Sequence, residues 1–383
     1  MPDPSATAWR SSASRAWWPT AICLAAVAFV LVMVAIRWDK AAGFTKLIQF
    51  GDDWAPQRLP IIKDLPLATV PGGGYDGQFY AQIAVQPTPT APEVQNALDN
   101  PEYRFRRILL PLVAHVLGGG NVRAVLNIYA LLNVAAWLLL AGIWWAEVGA
   151  STERGAMVWL ACLLSLGVLD SVRLSLTDLP ALLCLVLAAR ALQKKRPRRA
   201  TLWFLIGGFV RETVVLAAAT FPAGKKVEPP KVWVLRGVAI IPVLTWFVWL
   251  HYKLPGDFGT QVFAFPGLGL AQQLSLCARQ LAAGNFDSRY IFGLIGALGL
   301  GYQSLFLLVR WRQGDPWTRL GLPFAVLFWC FSAYTFSGYW AAARAMLPLT
   351  FVFNRLLAKE RSFWFHFLIG NLFMLHGVWR MLP

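Results

Sequence analysis

Trp17-Trp-Pro-Thr-Ala-Ile-Cys-Leu-Ala-Ala-Val-Ala-Phe-Val-Leu-Val-Met-Val-Ala-Ile36 is the stretch that decides the fold class. It carries no charged side chain and matches the ~20 residues an α-helix needs to cross the hydrocarbon of a bilayer. Arg10 and Arg15 precede it and Arg37-Trp-Asp-Lys40 follows it, with no small-residue cleavage site. That pattern reads as a retained signal anchor over 17–36 with its N-terminus in the cytoplasm.

Similar apolar runs recur at Val122 to Glu147, Ala156 to Leu169, Leu179 to Leu192, Val232 to Tyr252, Tyr290 to Val309, Trp317 to Phe336, Met346 to Leu357 and Phe363 to Trp379. Only 14% of the 383 residues are charged, against about a quarter in soluble proteins, and mean hydropathy is +0.52. The expectation is an all-α polytopic membrane protein, one multi-pass domain over 1–383 with about nine crossings. The run Thr201 to Pro222 has Arg211-Glu212 at its centre and basic clusters on both sides, which predicts a re-entrant hairpin. Arg211 and Glu212 then form an internal ion pair. No internal repeat is visible, so an inverted-repeat transporter has no direct support.

The net charge of +16 does not point to nucleic acid. The basic residues fall in short clusters between apolar runs, densest at Lys194-Lys-Arg-Pro-Arg-Arg199, as the positive-inside rule expects for cytoplasmic loops. The five cysteines and four histidines are scattered without ligand spacing, so neither a disulfide framework nor a His/Cys metal site is indicated.

This orientation puts two long loops outside, 39–121 and 253–288. Leu270, Leu274, Cys277 and Leu281 of the second loop recur at helical spacing, with Gln272, Gln273, Arg279 and Gln280 elsewhere, predicting an amphipathic helix lying in the interface. The apolar part of Asn100 to Leu117 is too short to cross and is expected in the interface as well. Asp170 to Asp178 reads as a short outer loop, and Gly338 to Arg344 as an outer turn. The first loop holds Pro71-Gly-Gly-Gly-Tyr-Asp-Gly-Gln-Phe-Tyr80, where Asp76 stands among glycines and aromatics. Such a stretch suits a sugar or a lipid headgroup, and equally a plain polar turn. Asp178 before Pro180 is a second outer carboxylate, with a helix cap as its alternative role.

A carboxylate on a glycine-rich loop with arginines at the same membrane face is what transfer from a lipid-linked phosphate to a hydroxyl needs. Guanidinium groups bind the phosphate and stabilise its departing charge, while a carboxylate takes the acceptor proton.

One span, a long outer loop with an early Asp and many later helices resemble the GT-C superfamily of integral-membrane glycosyltransferases. Tyr75-Asp-Gly-Gln-Phe-Tyr80 and Asn100-Pro-Glu-Tyr-Arg-Phe-Arg-Arg-Ile-Leu-Leu-Pro111 are similar to paired signatures of a bacterial cell-surface glycopolymer formation family. Thr177-Asp-Leu-Pro180, Arg211-Glu-Thr213 and Arg344-Ala-Met-Leu-Pro348 resemble its further short motifs. The resemblance implies a GT-C-like bundle in the bacterial cytoplasmic membrane, a polyprenyl-phosphate-linked sugar donor, and a glycan or lipid-linked acceptor. It implies Asp76 as catalytic base, Arg104, Arg107 and Arg344 on the donor phosphate, and Tyr75, Gln78, Tyr80 and Asp178 on substrate. No organic cofactor is implied; Asp52-Asp53 beside Trp54 stands as a second candidate base or as a divalent-cation pair. The alternatives are a transporter or flippase for a lipid-linked glycan, and a non-catalytic component of a polysaccharide assembly complex.

Overall fold

The computed structural model describes residues 17–220, 230–254, 256, 260–312 and 315–382. The polar leader Met1 to Arg15 and the pair Lys225-Lys226 lie outside them. Within them the chain is mainly helical, and the sheet is one pair of two-residue strands, Phe50–Gly51 parallel to Thr69–Val70.

Four helices among the described residues are long and apolar enough to cross a membrane: Trp18–Ala35, Val122–Val148, Pro230–Lys253 and Ser288–Val309. The pair Glu153–Leu163 and Leu166–Arg173, bent by 47°, makes a fifth when taken as one span. The expected count of about nine is therefore not met by length. The run from Trp317 forms a helix, Pro316–Trp329, that stops short of Phe336. The run from Phe363 breaks into Phe363–Asn371 and Met374–Met381. The run over Leu179 to Leu192 lies in Asp178–Gln193, only 16 residues long, and Leu347–Leu357 has 11.

These short pieces are held together by side-chain amides rather than by length. Asn354 and Asn371 exchange reciprocal amide hydrogen bonds of 2.9 and 3.0 Å. Gln303 donates to Gly370 O at 2.7 Å and accepts from Thr350 Oγ1 at 2.9 Å. Between apolar helices such bonds act as local glue, because each amide left unpaired in that environment costs free energy. Arg37, at the end of the first span, donates to the carbonyl of Met381 at 2.8 Å and so ties that span to the last described helix.

Three local expectations change. Asp170 is not in a loop: it sits inside Leu166–Arg173, 1% exposed, facing Arg173 at 3.4 Å and Arg380 at 3.3 Å. The segment Gly338 to Arg344 is not an open turn but largely the helix Tyr339–Ala345. The second-loop helix, Leu268–Ala282, buries Gln273 beside Cys277 and packs along Ser288–Val309, so that face meets protein rather than headgroups. At the expected hairpin, helix stops at Val210 and restarts at Val214, with Arg211 extended between them.

The first loop is a folded platform. Phe44 N donates to Asn127 Oδ1 at 2.7 Å, fixing the loop to the Val122–Val148 span. Its helix Gly77–Val85 is seated on the turn that leads into Asp178–Gln193. Tyr129 OH donates to Ser175 O at 2.7 Å, and Ser175 Oγ donates to Leu47 O at 3.0 Å. A Cβ on Gly77 falls 2.3 Å from Leu174 O and 3.0 Å from Ile48 O, so this contact of backbone on backbone admits glycine only. Gly77→Ala is expected to destabilise the protein by about 2–4 kcal/mol through forced backbone displacement. An unchanged thermal midpoint in detergent would show that the loop is not seated there.

Candidate active site

The seat on residues 174–177 brings Asp76 and Asp178, far apart in sequence, to one face of the bundle. Beside Asp76 opens a cavity of about 1050 Å³, lined by Asp76, Arg104, Arg107, Arg344 and Tyr75 among others, which Asp178 reaches only through Arg211 and Arg344. Arg211, Glu212 and Asp99 line it as well. Its size is at the upper end of small-molecule sites.

The helix Pro101–Phe105 starts at Asn100, whose side chain accepts from Tyr103 N at 3.0 Å. That start aims the three arginines of Arg104-Phe-Arg-Arg107 at different carboxylates. Arg104 Nη2 lies 2.9 Å from Asp76 Oδ1 and 2.6 Å from Asp99 Oδ2. Arg106 turns away to Glu102, a fully buried carboxylate that His251 also approaches at 3.3 Å. Arg107 grips Glu212 through two bonds of 2.8 and 2.5 Å. Tyr80, 1% exposed, accepts from Arg107 Nη1 at 2.8 Å, and Tyr103 OH accepts from Arg107 Nη2 at 2.5 Å. The Arg104 guanidinium also stacks 4.8 Å over Phe79, which meets Trp54 edge-on at 4.9 Å.

On the other side Asp178, 4% exposed, is in contact with Arg211 Nη1 and lies 3.7 Å from Arg344 Nη1. Arg344 is itself 8% exposed and stacks 5.2 Å over the Tyr75 ring. Asp178 is the first residue of its helix, so its carboxylate faces an arginine instead of capping. Arg211 and Glu212 do not serve as each other's partner: the break between their helices turns one toward Asp178 and the other toward Arg107.

Gln78 is placed differently from its expected role on substrate. It is wholly buried, accepts from Gly51 N at 3.0 Å and donates to Gly73 O at 2.7 Å, which clamps the glycine turn. Gln82 repeats the device on Leu59 N and Ala97 O, both at 2.9 Å. Tyr80 likewise reaches the site only through the two arginines it orders. Asp52 and Asp53 open a short 3₁₀ turn and are exposed, and it is the neighbouring Trp54 that lines the cavity. Among the described residues no group of three or more His, Cys, Asp or Glu is placed to hold a metal ion. Asp99 and Tyr103, which flank or belong to the Asn100 motif, line the cavity without a distinguishing mark of their own in the sequence. Arg289, at the start of Ser288–Val309, also lines the cavity and had no sequence signal at all.

Burial acts to raise the Asp76 pKa, but the charges of Arg104, Arg344 and Arg107 and the hydrogen bond from Arg104 outweigh it and bring the value down from 3.8 to about 2. A carboxylate depressed in the fold contributes stability that is fully present above its unfolded pKa and is lost as pH falls through its folded value. Arg104→Gln removes the nearest opposing charge, so the Asp76 pKa rises toward its unfolded value, and the acid loss of stability becomes smaller and is complete at a higher pH than in wild type. Thermal unfolding in detergent across about pH 2 to 7 reads this; superimposable pH profiles would sink the assignment.

Compared with family models, with curated proteins and with solved structures, the chain finds no match.

Proposed function

We propose that this protein is a GT-C-like glycosyltransferase, moving a sugar from a polyprenyl-phosphate donor to a cell-surface glycan or lipid-linked acceptor. The observation that carries the reading is the cavity itself: a carboxylate on a glycine-rich platform opens into the same space as four largely buried arginines. In this reading Asp76 takes the proton of the acceptor hydroxyl. The freed oxygen bonds to the anomeric carbon, the bond from that carbon to the donor phosphate breaks, and its electron pair leaves on the lipid phosphate. Arginines facing that oxygen stabilise its charge as it forms.

A carboxylate held at about 2 is ionised and ready to accept, but is a weak base while Arg104 bonds it. Arg104 has a second partner in Asp99 at 2.6 Å. An acceptor hydroxyl that takes the place of Arg104 on Asp76 leaves the guanidinium on Asp99 and restores basicity where the proton is removed. Trp54, Phe79 and Trp340 supply apolar faces of the kind that pack on sugar rings.

The orientation belonging to this reading is an N-terminus in the cytoplasm of a bacterial cell and the Pro71–Tyr80 platform on the outer face of its inner membrane. The broken helix at 211–213 then enters from the cytoplasmic side as a hairpin, and the short helices cross in pieces.

Asp76→Asn, purified at normal yield, is expected to lower the rate of sugar transfer by about 10²–10⁴-fold, the usual contribution of a positioned base. Transfer at the wild-type rate would remove Asp76 from the chemistry. Movement of labelled lipid-linked sugar across vesicles with no new glycosidic bond would replace the transferase reading with transport.

A further inference from the structure

The arginines around the cavity are not equally committed. Arg104 lies between two carboxylates, Asp76 and Asp99. Arg107 is matched by Glu212 through two bonds and is further occupied by two tyrosine hydroxyls. Arg211 and Arg344 share the single carboxylate of Asp178. Taken as local groups, the Arg104 end is negative by one charge, the Arg107 pair is neutral, and the Asp178 end is positive by one. The charge around the cavity is therefore uneven, negative about Arg104 and positive about Arg211 and Arg344.

The positive end also has unused hydrogen-bonding capacity. The Nε atoms of both Arg211 and Arg344 are buried without a hydrogen-bond partner. Both side chains are sheltered, at 14% and 9% exposure, so water does little to screen them. A guanidinium has five donors in a planar fork, and one carboxylate oxygen apiece does not use them. Arg289 adds an exposed cation on the cavity lining and has no carboxylate partner among the described residues. Arg344 is also the second cation acting on Asp76, after Arg104, and stacks on the neighbouring Tyr75. An anion held at Arg344 is thus placed beside the proposed base.

We propose that Arg211 and Arg344, held apart by Asp178, form the anion subsite of this cavity, and that its ligand is the phosphate ester of a lipid-linked substrate. The phosphate is bound there and not at Arg104 and Arg107, whose charges are met from within the protein. A phosphate ester supplies several oxygens for the two forks and completes the alternation of charge that Asp178 begins. The lipid identity of the ligand rests on the glycosyl-transfer reading; the anion subsite itself does not.

The test is equilibrium binding of a labelled short-chain polyprenyl phosphate to the full chain in detergent, with the matching uncharged polyprenol and inorganic phosphate as competitors. Arg211→Gln and Arg344→Gln are each expected to weaken binding at least about tenfold, and Arg107→Gln by far less, in line with the worth of a charge-assisted bidentate contact. Asp178→Asn removes the internal competitor and is expected to tighten binding severalfold, which a merely structural role for Asp178 does not produce. Arg211→Lys and Arg344→Lys keep the charge and lose the fork, so intermediate losses are expected if the Gln variants do not fold. Wild-type affinity in the Arg211 and Arg344 variants, or no gain in Asp178→Asn, overturns the subsite. Competition by the polyprenol as strong as by its phosphate overturns it too, and inorganic phosphate competing equally well overturns the lipid assignment. Binding with this pattern but no glycosidic bond formed sinks the transferase reading and leaves the subsite standing. Normal transfer at wild-type KM by the Arg211 and Arg344 variants does the reverse.

Discussion

Charges removed from water into an apolar bundle must find opposite charges, because an unpaired ion there costs several kcal/mol. Arg104, Arg107, Arg211 and Arg344 are each drawn from a different structural role: a loop helix, the end of that helix, a helix break and a late short helix. Their carboxylates come from the glycine platform, the first loop, the start of a helix and the same helix break. The pairing thus draws the first loop and three later segments to one place. Removing Arg107 or Glu212 leaves the other without its matching charge, which is why this pair holds the tertiary arrangement as well as the cavity.

The platform that carries Asp76 is rigid for a separate reason. Gln78 and Gln82 satisfy backbone groups that the irregular turns leave without partners, and they do it from inside the protein. Gly77 lets the platform rest directly on the carbonyl of Leu174. A carboxylate mounted in this way is held in position before any ligand arrives, and that kind of preorganisation is what a site for charge-separating chemistry needs. The aromatics beside Asp76 take part in the same order: Phe79 lies under Arg104, and Tyr75 under Arg344.

The helices beyond the platform are often too short for a continuous crossing, and they are broken where polar groups face inward. Non-helical backbone is tolerated at such depth when protein surrounds it or when it lines a polar cavity. At the break, Arg211, Glu212 and Thr213 are half-buried and all line the cavity. A tally of apolar runs therefore overcounts the continuous spans.

The helical class, the first span over Trp18–Ala35 and the interest of the glycine-flanked Asp76 were legible because they depend on local properties: apolar length, charge spacing and turn chemistry. The central Arg211-Glu212 pointed to an interruption of the apolar run, and the helix does break there, but the expected ion pair between the two does not form. Partner choice was not. Arg107 finds Glu212 across 105 residues and Arg104 finds Asp76 across 28, while adjacent Arg211 and Glu212 turn to separate partners. Gln78 looks like a ligand contact in the linear motif and proves to be a clamp, because which way its amide points depends on where Gly51 and Gly73 lie in space. The sequence by itself determined that helices form, that they are apolar, and which charged residues must be accommodated among them. Which carboxylate neutralises which arginine, and so where one positive charge is left over, was decided only by the tertiary structure, because electrostatic pairing follows distance in space rather than along the chain.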